Sequence, residues 1–184
     1  MVNPEQILWY PMRVTYGREM AVKSFLDSIN VEAFLPMTDH TWREGKSIKH
    51  KRVPAISNLI FVHDRRNHIT ELKHTRREAE PLRYMMRQTV SGKELVAEVI
   101  VVPDRQMDNF MRVAEGPEEQ RTFLTAEDLK GHDGARVVIT SGPFAGVEGV
   151  IKRVKGNKRV TIKIDGVGGV CINFVPKTFI LKVE

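Results

Sequence analysis

Cys171 is the only cysteine in 184 residues. This excludes an internal disulfide and a zinc site built from a cysteine cluster, and it suits a reducing, cytoplasmic setting. No apolar run approaches the roughly 18 residues that a membrane span requires, so no membrane partner is expected. The N-terminus, MVNPEQILWYP, lacks a basic stretch and a long apolar stretch, so no signal peptide is expected. Catalytic signatures are equally scarce. There is no His-Glu-x-x-His, no nucleophile elbow, and DGVGGV lacks the Gly-x-Gly-x-x-Gly spacing of a dinucleotide site. His63 and His68 are poorly spaced for a helical metal pair, and Cys171 lies in a strand-like run where core is its simplest role. No enzyme, metal or cofactor is expected.

The glycine-rich stretch SGPFAGVEGVI, residues 141–151, first suggests a phosphate loop. A P-loop ends in Gly-Lys-Ser/Thr, but Gly146 is followed by Val147 and Glu148, and a carboxylate there repels phosphate. A turn between two strands fits better.

What is present is ordinary apolar content, 41%, and an uneven charge. Residues 1–133 hold 20 Lys/Arg against 20 Asp/Glu, whereas residues 134–184 hold 9 against 3. The net charge of +6 therefore lies in the last third, which suggests a domain boundary and a polyanionic partner for the C-terminal part.

Along the chain, ILWYPMRVT reads as a strand, and Pro11 would place it at a sheet edge or a bulge. In GREMAVKSFLDSIN, Val22, Phe25, Leu26 and Ile29 form one helical stripe, with Arg18, Glu19, Lys23 and Asp27 directed elsewhere. VEAFLPM reads as a second strand, and TWREGKSIKHKRVPA as a charged hairpin turning near Glu44-Gly45-Lys46. NLIFVHD suits a buried central strand, HITELKHT a short helix and PLRYMMRQ a strand. After ELVAEVIVV, Pro103-Asp104 begins a helix striped by Met107, Phe110, Met111 and Ala114. The order β-α-β-β-β-α-β-β-α implies an α+β sandwich, helices packed on an antiparallel sheet.

Residues 115–128 are polar with little periodicity and read as a linker. The domains would then be 1–114 and 129–184. Five β-rich runs follow, ARVVIT, GVIKRV, RVTIKI, GVCINF and FILKV, with KGNK and DGVGG as tight turns, and they imply a small five-stranded barrel. In the glycine-rich loop, Gly142-Pro143 and Gly146 would make the excursion between two strands, and Gly149 would permit close packing. Phe144 at its centre either folds back on the barrel core, the simpler reading, or anchors a partner.

GARVVITSGPFAGVEGVIKRV resembles the KOW motif, the first hairpin of an SH3-like barrel. LWYPMRVTYGREMAVKSFL, RVPAISNLIFV and VVPDRQMDNFM resemble, in order, the first strand and helix, the central strand and the start of the last helix of the NusG N-terminal domain. The chain is thus similar to NusG-family transcription elongation factors. Ser57-Asn58-Leu59 and GVGGVCINFVPKTFI depart from housekeeping members and look more like the specialised UpxY-type antiterminators of capsular polysaccharide operons.

The resemblance implies a cytoplasmic, monomeric protein that docks the clamp helices of RNA polymerase. Carried over by position, the docking residues would be Trp9, Tyr10, Ile56, Leu59 and Phe61, with Ile56 and Leu59 the more exposed; core packing is the competing role for all five. His68 and Thr70 resemble an element that meets the polymerase gate loop. Non-template DNA or nascent RNA would meet Arg13, Arg18 and Lys23, the hairpin cations Arg43, Lys46, Lys49, Lys51 and Arg52, and a run from Arg65, Arg66 and Lys73 to Arg76 and Arg77. The KOW part would recruit a small-subunit ribosomal protein or the termination factor Rho. A housekeeping NusG-like role and a ribosome-associated RNA-binding role are the alternatives.

Overall fold

Apolar stripes and alternating runs become the elements they suggest along most of the chain. The computed structural model describes residues 3–91 and 94–183. In chain order these form β1 (Ile7–Val14), α1 (Glu19–Ser28), β2 (Glu32–Phe34), β3 (Met37–Glu44), β4 (Ser47–Pro54), β5 (Leu59–Arg65), α2 (Arg66–Thr75) and β6 (Leu82–Tyr84). Then come β7 (Met86–Ser91), β8 (Glu94–Val99), α3 (Asp104–Ala114), β9 (Arg121–Thr125), β10 (Arg136–Ile139), β11 (Glu148–Val154), β12 (Asn157–Ile164), β13 (Gly168–Ile172) and β14 (Ile180–Val183). This mixed α/β chain divides into two compact units, Met1–Pro36 with Ser57–Asp104, and Met37–Ile56 with Arg105–Glu184.

The first unit contains an antiparallel sheet in the order β2-β5-β1-β6. The continuous apolar run does form an inner strand: Leu59, Ile60, Phe61 and Val62 of β5 are all buried. Helix α1 buries Val22 and Leu26, and α2 buries Ile69 and Leu72.

Three local expectations change. Strand β1 lies inside the sheet rather than at its edge, despite Pro11. The proline nitrogen points toward the side where β6 stops, at the Met12–Tyr84 pair. There the Pro11 carbonyl accepts Met85 N–H (3.4 Å), and the Met85 carbonyl takes Ile100 N–H (2.9 Å), so the missing donor leaves no ladder acceptor unserved. PLRYMMRQ accordingly splits at Met85 into β6 and β7, and β7 pairs with β8 as a separate ribbon. VEAFLPM splits in the same way at Leu35-Pro36, between β2 and β3.

Glu19 is buried rather than turned to solvent, at 5% exposure. Its carboxylate accepts the backbone N–H of Asn58 at 2.6 Å, and Asn58 holds a left-handed φ of 59°. That conformation suits Asn or Gly. We expect Glu19→Ala to cost about 1–3 kcal/mol through loss of a charge-assisted bond, and Asn58→Gly to cost less than about 1 kcal/mol. Urea midpoints measure both, and equal costs would count against this account of the turn.

The second unit contains a six-stranded antiparallel sheet ordered β14-β10-β11-β12-β13-β9, with β3–β4 as a two-stranded hairpin. The five expected strands are β10 to β14. The sixth, β9, lies in the stretch read as linker: it pairs along its whole length with β13, and its Leu124 packs with Val154 and Cys171 in the core, with Leu129 against them. KGNK forms the tight hairpin between β11 and β12, with Lys155 and Gly156 both at positive φ.

The glycine-rich loop joins β10 to β11 and is internally bonded, Ala145 N–H to the Gly142 carbonyl and Val147 N–H to the Phe144 carbonyl. Gly149 serves the close packing expected of it, because a Cβ there would come 2.8 Å from the Thr161 carbonyl oxygen. Phe144 is not a projecting anchor. It is 6% exposed, and its ring covers Gly116, where an added Cβ would sit 2.8 Å from it. Among the described residues, no helix is long and apolar enough to cross a membrane.

Candidate functional site

β1 and β5 are covered on both faces where they carry the expected docking residues. Trp9, Tyr10, Ile56, Leu59 and Phe61 are all at or below 9% exposure, which corrects the expectation that Ile56 and Leu59 face solvent. Trp9 stacks on His63 at 4.5 Å, and the His63 Nδ1 donates to Glu32 at 2.5 Å. Ile56 Cδ1 would lie 3.4 Å from a Cβ built on Gly168. None of the five presents a free surface of its own.

Tyr10 still reaches one. Its ring helps line a cavity of about 740 Å³ with Arg66, Met86, Val96, Glu98 and Val99. Its hydroxyl is buried without a hydrogen-bond partner, and burial raises its pKa, against the lowering effect of Arg66. Tyr84 meets Tyr10 edge to face at 5.8 Å. The Tyr84 hydroxyl donates to the Arg66 carbonyl at 3.0 Å and bonds Thr70 Oγ1 at 3.1 Å. Lys73 Nζ sits 4.7 Å from the centre of the Tyr84 ring; burial, and then the Arg83 charge, pull its pKa down. Thr70 therefore fixes Tyr84, while His68 is half-exposed and donates from Nδ1 to Asp64 at 2.5 Å.

The cations are unequal. Arg13 and Arg18 are exposed, and the Arg18 guanidinium lies 5.5 Å from the ring of Tyr16. Sequence reasoning passed over Tyr16, which is 83% exposed at a left-handed φ of 63°. A bulky residue held there is strained. Lys23 is paired with Asp27 at 2.6 Å and contributes little net charge. Arg65 lies 3.7 Å from Glu5, and Arg76 and Arg77 are exposed.

Arg43, Lys46, Lys49, Lys51 and Arg52 are all exposed on the β3–β4 hairpin. The base of that hairpin is fixed. Thr38 Oγ and the Asp39 N–H both donate to the Glu118 carboxylate, at 2.7 and 2.8 Å. Burial works to raise the Glu118 pKa, but these two bonds, with the charges of Arg121 and Arg52, hold it below the ordinary carboxylate range. Arg121, with its side chain 4% exposed, bonds the carbonyls of Gly116 and Met37 and pairs with Glu118.

Two exposed aromatics on the second unit also escaped sequence reasoning. Trp42 is 39% exposed and Phe174 is 80% exposed. Phe174 borders a groove of about 630 Å³ with Val137, Ile151, Val160 and Ile180, so on the six-stranded sheet the exposed ring is Phe174 rather than Phe144. Cys171 is buried, and burial pushes its thiol pKa up against the opposing pull of Arg159.

Residues 8–111 match the family model described as transcription termination factor nusG, and residues 134–163 match the KOW motif. No curated protein matches the chain.

Proposed function

This chain belongs to the NusG family of transcription elongation factors, and we propose that it binds transcribing RNA polymerase and carries it through pause and termination sites. The family match over residues 8–111 is the observation that supports this most directly. Its departures at Ser57-Asn58-Leu59 and in the last strands favour a specialised, UpxY-type antiterminator acting in the cytoplasm on long operons such as capsular polysaccharide loci.

The mechanism is binding, not bond chemistry. A domain that bridges the polymerase cleft favours the closed clamp only by its higher affinity for that state. The cavity beside Tyr10, rimmed by the half-exposed Met86 and Val96, suits an apolar contact with the clamp helices. Tyr84, edge to face with Tyr10, supports that ring, Trp9, Leu59 and Phe61 pack on the other face of the same sheet, and His68 adds a polar contact. The cations of Arg13, Arg18 and the β3–β4 hairpin would meet nucleic-acid phosphates. The C-terminal sheet, closing as an SH3-like barrel, would recruit a small-subunit ribosomal protein or Rho, with Phe174 as the contact ring.

In vitro transcription on a long template that includes the protein's own upstream region tests this. Wild type should raise full-length yield. Met86→Glu, at an exposed position, should abolish the effect with unchanged circular dichroism, whereas Leu59→Asp would put a charge at a buried site and unfold the protein. If wild type leaves the yield unaltered, antitermination is wrong and a ribosome-associated role leads. Replacing Lys49, Lys51 and Arg52 with glutamate should weaken binding to elongation complexes and flatten its salt dependence, by about 0.7–0.9 in the log–log slope per lost phosphate contact. Unchanged binding would return these cations to a solvated face.

A further inference from the structure

Hairpin register places chemistry on the β3–β4 ribbon that a charge run alone does not reveal. Trp42 lies directly opposite Lys49, and His40 directly opposite Lys51. Residues opposite each other, and residues two apart, share a face of the ribbon. One face therefore carries Trp42, His40, Lys49 and Lys51 together. The two rings are stacked, with centroids 5.8 Å apart and planes 19° apart, and the indole remains 39% exposed. A stacked aromatic pair with a lysine across from each ring is suited to an unpaired base on the ring and its phosphates on the amines.

The face is also held in place. Thr38 and Asp39 are bonded to Glu118, and Thr41 Oγ1 bonds His50 Nδ1 at 3.0 Å on the opposite face. Glu44 and Ser47 face each other at the hairpin tip, on the same face as Trp42. A carboxylate repels phosphate but accepts a hydrogen bond from a ribose 2′-hydroxyl, which DNA lacks.

We propose that this face of the β3–β4 hairpin binds single-stranded RNA, with a base stacked on Trp42, phosphates on Lys49 and Lys51, and a ribose hydroxyl at Glu44 and Ser47. The proposal rests on the nucleic-acid part of the elongation-factor reading and names its ligand. The affinity of such a site is largely insensitive to base identity, because every base has a π-face.

The full-length chain can report on it directly. Its other tryptophan, Trp9, is buried at 3% exposure, so quenching of indole emission by a short oligouridylate reads Trp42. Oligouridylate should bind and quench more strongly than an oligothymidylate of equal length or an RNA duplex. Read by the anisotropy of an end-labelled oligouridylate, which needs no indole, Trp42→Ala should weaken binding roughly 5- to 100-fold, the range expected for one lost stacking contact, with the salt slope unchanged. Trp42→Phe should keep most of the affinity, and His40→Ala should lose part of it. Lys49→Gln and Lys51→Gln should each reduce the slope by about 0.7.

Affinity of Trp42→Ala within about twofold of wild type, with an unchanged thermal melt, overturns the stacking site. Equal binding of duplex also overturns it, and oligothymidylate binding as tightly as oligouridylate overturns the RNA assignment. Should Trp42→Ala prove unstable, His40→Ala decides: a stably folded His40→Ala chain that binds oligouridylate within about twofold of wild type overturns the site. Co-purification with polymerase separates the two readings. A Trp42→Ala chain that keeps polymerase but loses oligouridylate supports both, and a wild type that binds oligouridylate but not polymerase supports the hairpin site alone.

Discussion

Asp133→Ala should destabilise this protein by about 3–5 kcal/mol, the usual cost of leaving one member of a buried ion pair unpaired. Lys152→Met should cost no more than about 1 kcal/mol. The difference comes from where each charge can go. The Lys152 side chain is 3% exposed, and among the described residues its ammonium has only the Asp133 carboxylate at 3.1 Å and the Gly131 carbonyl at 3.2 Å. Removing the carboxylate strands a cation in the interior. Asp133 is 28% exposed and is also paired with Lys163, which reaches Asp165 at 2.9 Å. Removing Lys152 therefore leaves the carboxylate solvated and partnered, while methionine fills the space of the alkyl stem.

The double variant Asp133→Ala/Lys152→Met should recover most of the loss, since the stranded charge is gone. For a unit of this size, a drop of several kcal/mol lowers the melting midpoint by about 10 °C or more. Equal melting of the two single variants would show that the buried ammonium is solvated in some other way.

The same cluster sets an acid limit on stability. Burial tends to raise the Asp133 pKa, but hydrogen bonds from Lys163 and Lys152, reinforced by their charges, hold it below the ordinary carboxylate range. A carboxyl group with a depressed folded-state value contributes fully above its unfolded value, about 3.9, and loses that contribution as pH falls through the folded value. Urea midpoints taken downward from about pH 5 should therefore fall more steeply for wild type than for Asp133→Asn.

The strongest elements were readable because a single physical signal dominated each. β5 is apolar on both faces, α1 carries one stripe, and Lys155-Gly156 has few alternatives to a tight hairpin. The misreadings share a cause, since a side chain's surroundings are set by strands distant in sequence. Pro11 looks like an edge residue until the short β6 and the Met85 carbonyl are placed. Glu19 looks solvated until the left-handed turn at Asn58 brings an N–H to it. Leu59 opens a strand covered on both faces and Ile56 lies in the turn before it, so their burial depends on partners that the local pattern does not show. Trp42 was hidden among cations, and the pairing register is what puts it across from Lys49. β9 was missed because its neighbours are polar, although Thr122-Phe123-Leu124-Thr125 is a β-prone run. Its partner strand is more than forty residues away.

β9 also carries the second large effect, expected from Asn173→Ala. The Asn173 amide donates to the carbonyls of Glu119 and Arg121, at 2.9 and 3.1 Å. Its oxygen accepts from Thr122 Oγ1 at 2.7 Å and from Arg159 at 2.5 Å. One side chain thus ties the polar segment before and within β9 to the end of β13. Truncation removes all four bonds and leaves Arg159, whose Nε is already buried without a partner among the described residues, with weak contacts to Thr122 (3.4 Å) and the Cys171 thiol (3.8 Å). At about 0.5–1.5 kcal/mol per bond, plus the cost of the stranded donors, we expect a loss of about 2–4 kcal/mol. Much of it should appear as local release of β9, because an end strand can detach without unfolding the rest of the sheet. Limited proteolysis under native conditions reads this directly. Wild type should resist cleavage within residues 121–125, and Asn173→Ala should be cut there at least roughly 30-fold faster, as the open population rises. Leu124 leaves the core with β9, so the freed strand should also expose apolar surface to a hydrophobic dye. Equal cleavage of the two proteins would mean that pairing with β13 and burial of Leu124 hold the strand unaided, and that the Asn173 cluster is dispensable.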